Sequence, residues 1–359
     1  MINKKIKKIL VINIRYNGDV ILTQPLIDNL RNYFPKAEID FLVEDYAKDT
    51  TKMLRGISDV IVFHRKKKFG LSSNIEFLKK IYRKYNLAIS LTASDRSCLY
   101  AILASNNSIS NIEESFLKSW WKRLFLSNYY FWDRQTHIIQ NNLKALRFLS
   151  KDKNISTIFK LEDPSNSEIA LIKEKLKKID IKEFLIFHPC SKYEYKSYPA
   201  HNRNELLELL SDIGIPVIVT GGNSSLDKAI SKSIPKLKNI HNFIGKLSLR
   251  EYYVLSFLSK AYVGVDTLNV HIAAGQKKKI FAIYGPTNIN LWAPWSDSIK
   301  QIDFKDKSMH KYADIHLFQA DLPCRGCNRA GCDNNEGKSI CLDLIDPQEI
   351  YNSIKKILN

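Results

Sequence analysis

Short apolar runs alternate with segments of helical periodicity along this chain, and the pattern occurs twice. In the first half "KILVINI" precedes "PLIDNLRNYF", "EIDFLV" precedes a helix near 45–55, "DVIVF" precedes "NIEFLKKIYRKY", and "LAISL" precedes a helix through "LYAILA". Such alternation predicts parallel sheets joined by right-handed crossovers. The stretch "KLEDPSNSE" at 160–168 gathers Pro, Ser and Asn, so a domain boundary is placed there. The alternation restarts with "FLIFHP", "NELLELLSDIG", "IPVIVTGG", a helix near 226–234, "YYVLSFLSKA", "YVGVD", "VHIAAG" and "KIFAIYGP". The expectation is an α/β protein of two doubly wound Rossmann-like domains facing a central cleft, residues 1–161 and 162–345. A closing amphipathic helix over 346–359 starts at the N-cap Asp346 and Pro347. Its packing back on the first domain is one option.

Composition narrows the class. The 359 residues are 45% hydrophobic and 26% charged, as in a soluble globular protein. The apolar run in "MINKKIKKILVINI" is too short for a signal peptide, and no stretch reaches the 18 or more apolar residues of a membrane span. A cytoplasmic protein is expected, and six cysteines in a reducing compartment read as free thiols or metal ligands. The formal charge of +18 is unevenly spread: residues 1–161 hold 28 Lys and Arg against 14 Asp and Glu, residues 162–359 hold 27 against 23. The first half is therefore expected to meet something anionic. Lys-rich coding bias accounts for part of the total.

Two acids stand where strand gives way to helix. Asp19 in "INIRYNGDVILTQP" serves either as an N-cap or as a general base at the carboxyl end of a parallel strand, where α/β folds keep their ligand clefts. Asp266 and Thr267 in "YVGVDTLNVHIAAG" fall at a helix N-terminus suited to phosphate. His271, five residues on, either faces that cleft or packs beneath it. The loop "CSKYEYKSYP" adds Ser191, Lys192 and Lys196 as diphosphate donors, unless the lysines are simply solvated. Neither GxGxxG nor GxxxxGK[ST] is present, which leaves dinucleotide oxidoreductases and P-loop hydrolases unsupported.

Two further segments invite a reading. "SFLKSWWKRLFLSNYYFWDR" (115–134) sets Trp120 and Trp121 among other rings and among Lys122, Arg123 and further cations. That mixture suits a membrane interface or single-stranded nucleic acid, with half of the rings equally well placed in a core. "CRGCNRAGCDNNEGKSIC" spaces Cys324, Cys327, Cys332 and Cys341 as C-x2-C-x4-C-x8-C, a candidate structural zinc or iron site whose spacing is imperfect for a zinc ribbon.

The segments "RYNGDVILTQP", "KSYP", "VIVTGG", "GKLSLRE", "GVDTLNVHIAAG" and "YGPTNINLWAPW", in this order over nearly the whole chain, resemble glycosyltransferase family 9, the bacterial ADP-heptose transferases of the lipopolysaccharide inner core. "LTASDR" and the tryptophans of "NLWAPW" are most similar to the heptosyltransferase III branch. The resemblance implies a GT-B fold, an acceptor on the N-terminal domain and ADP-heptose on the C-terminal one. It makes Asp19 the catalytic base of an inverting transfer. Lys196 becomes a donor-phosphate contact, and Asp266 and Thr267 hold heptose and diphosphate beside His271. Ser191, Lys192 and Leu247 complete the donor set, while Arg15, Asn17, Trp120, Trp121, Lys122 and Arg123 face acceptor or membrane. Leu268 stands where many relatives have Gly, and Ser225 where many have a ribose-binding Glu, with Asp227 a substitute carboxylate. The implied partners are ADP-heptose, the lipopolysaccharide core–lipid A acceptor and the cytoplasmic surface of the inner membrane, with no nucleic acid. No cofactor is required, since lysines and helix amides can meet the charge of the leaving diphosphate. The alternatives are a GT-B transferase with a protein acceptor or another sugar donor, and a basic single-strand-binding protein without catalysis.

Overall fold

A computed structural model describes residues 6–64, 71–149, 154–298 and 308–358. The chain divides into two compact units, residues 1–162 and 163–359.

The first unit is built on β1 (Lys8–Asn13), β2 (Glu38–Glu44), β3 (Asp59–Phe63), β4 (Leu87–Ser90), β5 (Ser108–Ile112) and β6 (Asn128–Phe131). These pair in the order β3-β2-β1-β4-β5-β6, every pair parallel. The central β1 runs apolar without interruption, Ile9 to Ile12, because both of its faces are covered. Successive strands move outward from β1 in one direction, then restart on its other side at β4. That reversal is a topological switch point, and in doubly wound sheets it opens a crevice beyond the carboxyl ends of the strands. The helix expected near 45–55 is only a 3₁₀ turn, Asp45–Ala47, and a single α turn, Lys48–Thr51. The Thr51 hydroxyl donates to the Lys48 carbonyl (2.6 Å), one of the local side-chain bonds that compete with helix extension.

The second unit repeats the plan. Its strands are β7 (Leu185–His188), β8 (Val217–Val219), β9 (Ile240–Asn242), β10 (Ala261–Val265), β11 (Lys279–Ile283), β12 (Met309–Tyr312) and β13 (Ile315–Phe318). The order is β12-β13-β11-β10-β7-β8-β9, parallel except for the β12–β13 pair at one edge. Here the switch point lies between β7 and β10. Gly264 pairs with His188 at that seam, and a Cβ on it would stand 2.5 Å from the His188 carbonyl oxygen. No larger residue fits there without moving backbone.

The closing helix, Pro347–Leu358, belongs to this second core: Ile350 and Ile354 are buried in one cluster with Leu206, Leu207 and Leu210. Tyr198 Oη donates to the Ile345 carbonyl (2.8 Å) and Asn202 Nδ2 to the Asp343 carbonyl (2.9 Å), fixing the approach to the helix.

Candidate active site

At the carboxyl end of β1 the chain turns at once into the short helix Asn17–Ile21. Asn13, the last residue of the strand, holds that turn: its Nδ2 donates to the Asp19 carbonyl (3.0 Å) and to Thr23 Oγ1 (3.1 Å), and the Thr23 hydroxyl donates to the same carbonyl (3.1 Å). Asp19 is the third helical residue. The N-cap is Tyr16, which makes no side-chain cap bond, so the capping reading of Asp19 does not hold. Instead its carboxylate, buried with its residue at 5% exposure, pairs with Arg15 Nε at 2.8 Å. The Arg15 guanidinium in turn stacks 5.1 Å from the centroid of Trp132, just beyond β6. Sequence reasoning named Arg15 but not the Trp132 contact, which arises only because β6 and β1 share a sheet. The amide oxygen of Asn17 is buried without a hydrogen-bond partner among the described residues.

The second unit assembles a denser cluster at its switch point. Lys196, from the loop after β7, places Nζ 2.8 Å from Asp266 Oδ2 at the end of β10, and Thr287 Oγ1 donates to the same oxygen at 2.5 Å. Burial pushes the Asp266 carboxyl up, but the Lys196 ammonium and the Thr287 hydroxyl outweigh it and leave the acid below its ordinary value. Burial lowers the Lys196 ammonium, and the facing carboxylate more than restores it, so its pKa is raised. Both groups are held charged. Thr287 lies within "YGPTNINLWAPW", but its role as a partner of Asp266 depends on β10 and β11 being neighbours, which no local signal announces.

Thr267 is the N-cap of the helix Leu268–Gly275, its hydroxyl accepting from the Asn269 amide at 3.3 Å. The Asn269 side chain reaches back to the His188 ring, Nδ2 lying 2.9 Å from Nε2, while Thr220 Oγ1 stands 2.9 Å from Nδ1. The helix tip is thus tied to the end of β7. Burial brings the pKa of His188 down to about 4, against a small opposing pull from Asp227. Burial likewise brings His271 down to about 4, with the nearby Asp266 charge opposing it. His271 packs beneath the site as a neutral ring, and its Nδ1 has no partner among the described residues.

The remaining donor candidates divide. Ser191 is buried, with its amide on Ser197 Oγ (3.1 Å), whereas Lys192 is exposed with its ammonium 5.2 Å from the Tyr193 ring centroid. Leu247 and Leu268 are half-buried. Ser225 is exposed, and Asp227 closes a capping box, its Oδ2 accepting from the Ser224 amide (2.9 Å) and hydroxyl (2.6 Å). The carboxylate offered as a substitute for the missing Glu is therefore already committed to a helix cap.

The aromatic segment forms a helix, Phe116–Phe125, followed by β6. Lys122, expected at a membrane or acceptor, is instead fully buried and bonded to Glu113 Oε2 (2.7 Å), Asp95 Oδ1 (2.8 Å) and the Ala93 carbonyl (2.5 Å). Trp121 is half-buried against a small cluster of Cys98, Ile112 and Leu126. The Arg123 guanidinium sits over the rings of Phe116, Tyr129 and Phe131, while Trp120 is 52% exposed. The four C-terminal cysteines are free, and burial together with the charge of the other three raises the Cys341 thiol to about 11. Among the described residues no group of three or more His, Cys, Asp or Glu is placed to hold a metal ion.

The family model of glycosyltransferase family 9 (heptosyltransferase) matches residues 75–318. Lipopolysaccharide heptosyltransferase 3 of Escherichia coli K12 is 25% identical over 301 residues, which cover 80% of this chain and 85% of that protein. The crystal structure of a family 9 glycosyltransferase from Veillonella parvula superposes with a TM-score of 0.74 at 20% identity, over 98% of this chain and 97% of that one. The ADP-heptose lipopolysaccharide heptosyltransferase II of E. coli gives 0.74 at 18% identity over 98% of each chain. The two repeated parallel sheets are thus those of the GT-B fold. Matched over well more than half its length, the chain belongs to glycosyltransferase family 9, the heptosyltransferases.

Proposed function

We propose that this enzyme moves a heptose from ADP-heptose to a heptose of the lipopolysaccharide inner core, with inversion, at the cytoplasmic face of the inner membrane. The observation that carries the donor assignment is the Lys196–Asp266 pair, both members charged and placed at the switch point of a doubly wound sheet. The curated relative is a lipopolysaccharide heptosyltransferase and a structural relative carries ADP-heptose in its name, which supports this acceptor and this donor.

In this reading Asp19 accepts the proton of the acceptor hydroxyl as its oxygen attacks the anomeric carbon. The bond from that carbon to the β-phosphate oxygen breaks, and ADP leaves with the electron pair. Charge grows on the diphosphate as the bond stretches, so Lys196 and the amides at the helix tip after Thr267 bind the transition state more tightly than the donor. Asp266 holds Lys196 ionised and in place before the donor arrives. With these groups meeting the charge, transfer is expected to persist in EDTA within about twofold.

Mass measurement after incubating the purified protein with ADP-heptose and a truncated core tests the reading. A product heavier by one heptose is expected. Unchanged acceptor, with the donor intact, overturns the core assignment.

A further inference from the structure

The helix Phe116–Phe125 is inside out. A surface helix ordinarily turns its apolar stripe to the core and its charges to water. Here the residues facing inward are Ser119 and Lys122, both fully buried, whereas Phe116, Leu117, Trp120 and Leu124 are 65%, 87%, 52% and 70% exposed. At about 100° per residue these four fall within roughly 100° of arc, one continuous stripe two turns long. The inward lysine is held in place by Glu113 and Asp95, so the orientation is fixed by a buried ammonium paired with two acids nearer the surface. An exposed apolar stripe of this kind marks an interaction surface.

Charge selects the occupant. Residues 1–161 carry 28 cations against 14 anions, so a second copy would bring like charge to like, whereas an anionic bilayer meets its complement. One edge of the stripe fits a lipid interface: the Arg123 guanidinium borders it and lies over the Phe116 and Phe131 rings. Glu114 and Asp95 are exposed acids nearby, the latter paired with Lys122. Among the described residues no helix is long and apolar enough to cross a membrane, so attachment through this stripe would be in the plane of the interface.

We propose that Phe116, Leu117, Trp120 and Leu124 form a membrane-docking face that enters the headgroup region of an anionic leaflet. The inference rests on the reading above, which puts the acceptor in that leaflet, but it is measured without acceptor.

The test is flotation of the full chain with phosphatidylglycerol–phosphatidylethanolamine vesicles and with phosphatidylcholine vesicles. Wild type should float with the former, far less with the latter and less as salt rises. Leu117→Ser/Leu124→Ser, which leaves the charge unchanged, should reduce flotation at least tenfold while heptose transfer to a water-soluble core oligosaccharide continues. Quenching by brominated lipid supplies a second readout should the double variant fold poorly: wild-type tryptophan emission should fall on binding, and Trp120→Phe should remove the quenched component. Wild type that does not float overturns the proposal, as does flotation unaffected by the double variant or quenching unaffected by Trp120→Phe. A wild-type dimer that the double variant dissolves without changing flotation would also overturn it, assigning the stripe to self-association. Stripe-dependent flotation in a protein that transfers no heptose would leave this inference standing and remove the functional reading instead.

Discussion

Both units place a cation and a carboxylate at the carboxyl end of a strand bordering the switch point, yet the two pairs are built differently. In the first unit Arg15 and Asp19 are four residues apart on one turn, and the arginine leans on a surface tryptophan. In the second, Lys196 and Asp266 are 70 residues apart in sequence, and the carboxylate also accepts from the buried Thr287 hydroxyl. The first pair is local. The second is tertiary, with a carboxylate whose role is to hold a cation. An anion site needs a fixed positive charge, which the second pair supplies, and the proposed reading gives the proton acceptor to the first.

The contrast can be broken in three ways. Acid should affect the second unit most. Folded His188 and His271 take up protons only near pH 4, whereas in the unfolded chain they do so near their ordinary 6.5. Their contribution is complete above about pH 6.5 and falls as pH drops toward 4, by roughly 2–3 kcal/mol for each ring at pH 4.5. Hydrogen exchange between pH 7 and 4.5 should show the second unit losing protection first, and His188→Gln should narrow the gap; equal loss in both units would contradict this. Next, Asp266→Ala leaves Lys196 facing no anion and should cost roughly 2–3 kcal/mol in urea unfolding, less than for a fully buried pair because the lysine keeps some exposure. Smallest is Arg15→Gln, which should cost under about 1 kcal/mol of stability, since the pair is part-exposed and local, while slowing transfer about tenfold through a misplaced base. A stability loss equal to that of Asp266→Ala would erase the distinction between the pairs.

Much of the architecture was legible. Uninterrupted apolar runs such as Ile9–Ile12 mark central parallel strands because nothing polar can be satisfied on either face. β5 escaped notice because its "SISNI" hides buried serines among isoleucines, and β9 because three residues give no period. Both acids stood out as breaks after apolar strands. Their partners did not: Thr287 meets Asp266 through strand order, and the buried Lys122 ammonium meets Glu113 and Asp95 through tertiary contact. In composition Lys122 looks like any surface lysine of a basic segment. Asp227 misled in the opposite direction, since a carboxylate three residues after Ser224 is also the signature of a capping box.

The division of labour between the two pairs is tested most directly by measuring ADP-heptose affinity and single-turnover transfer on Asp19→Asn and Lys196→Met together. The account predicts that Asp19→Asn binds donor as wild type does while transfer falls at least a hundredfold, and that Lys196→Met loses donor affinity as well as rate. Transfer by Asp19→Asn at the wild-type rate, or donor affinity lost equally in both variants, would contradict it.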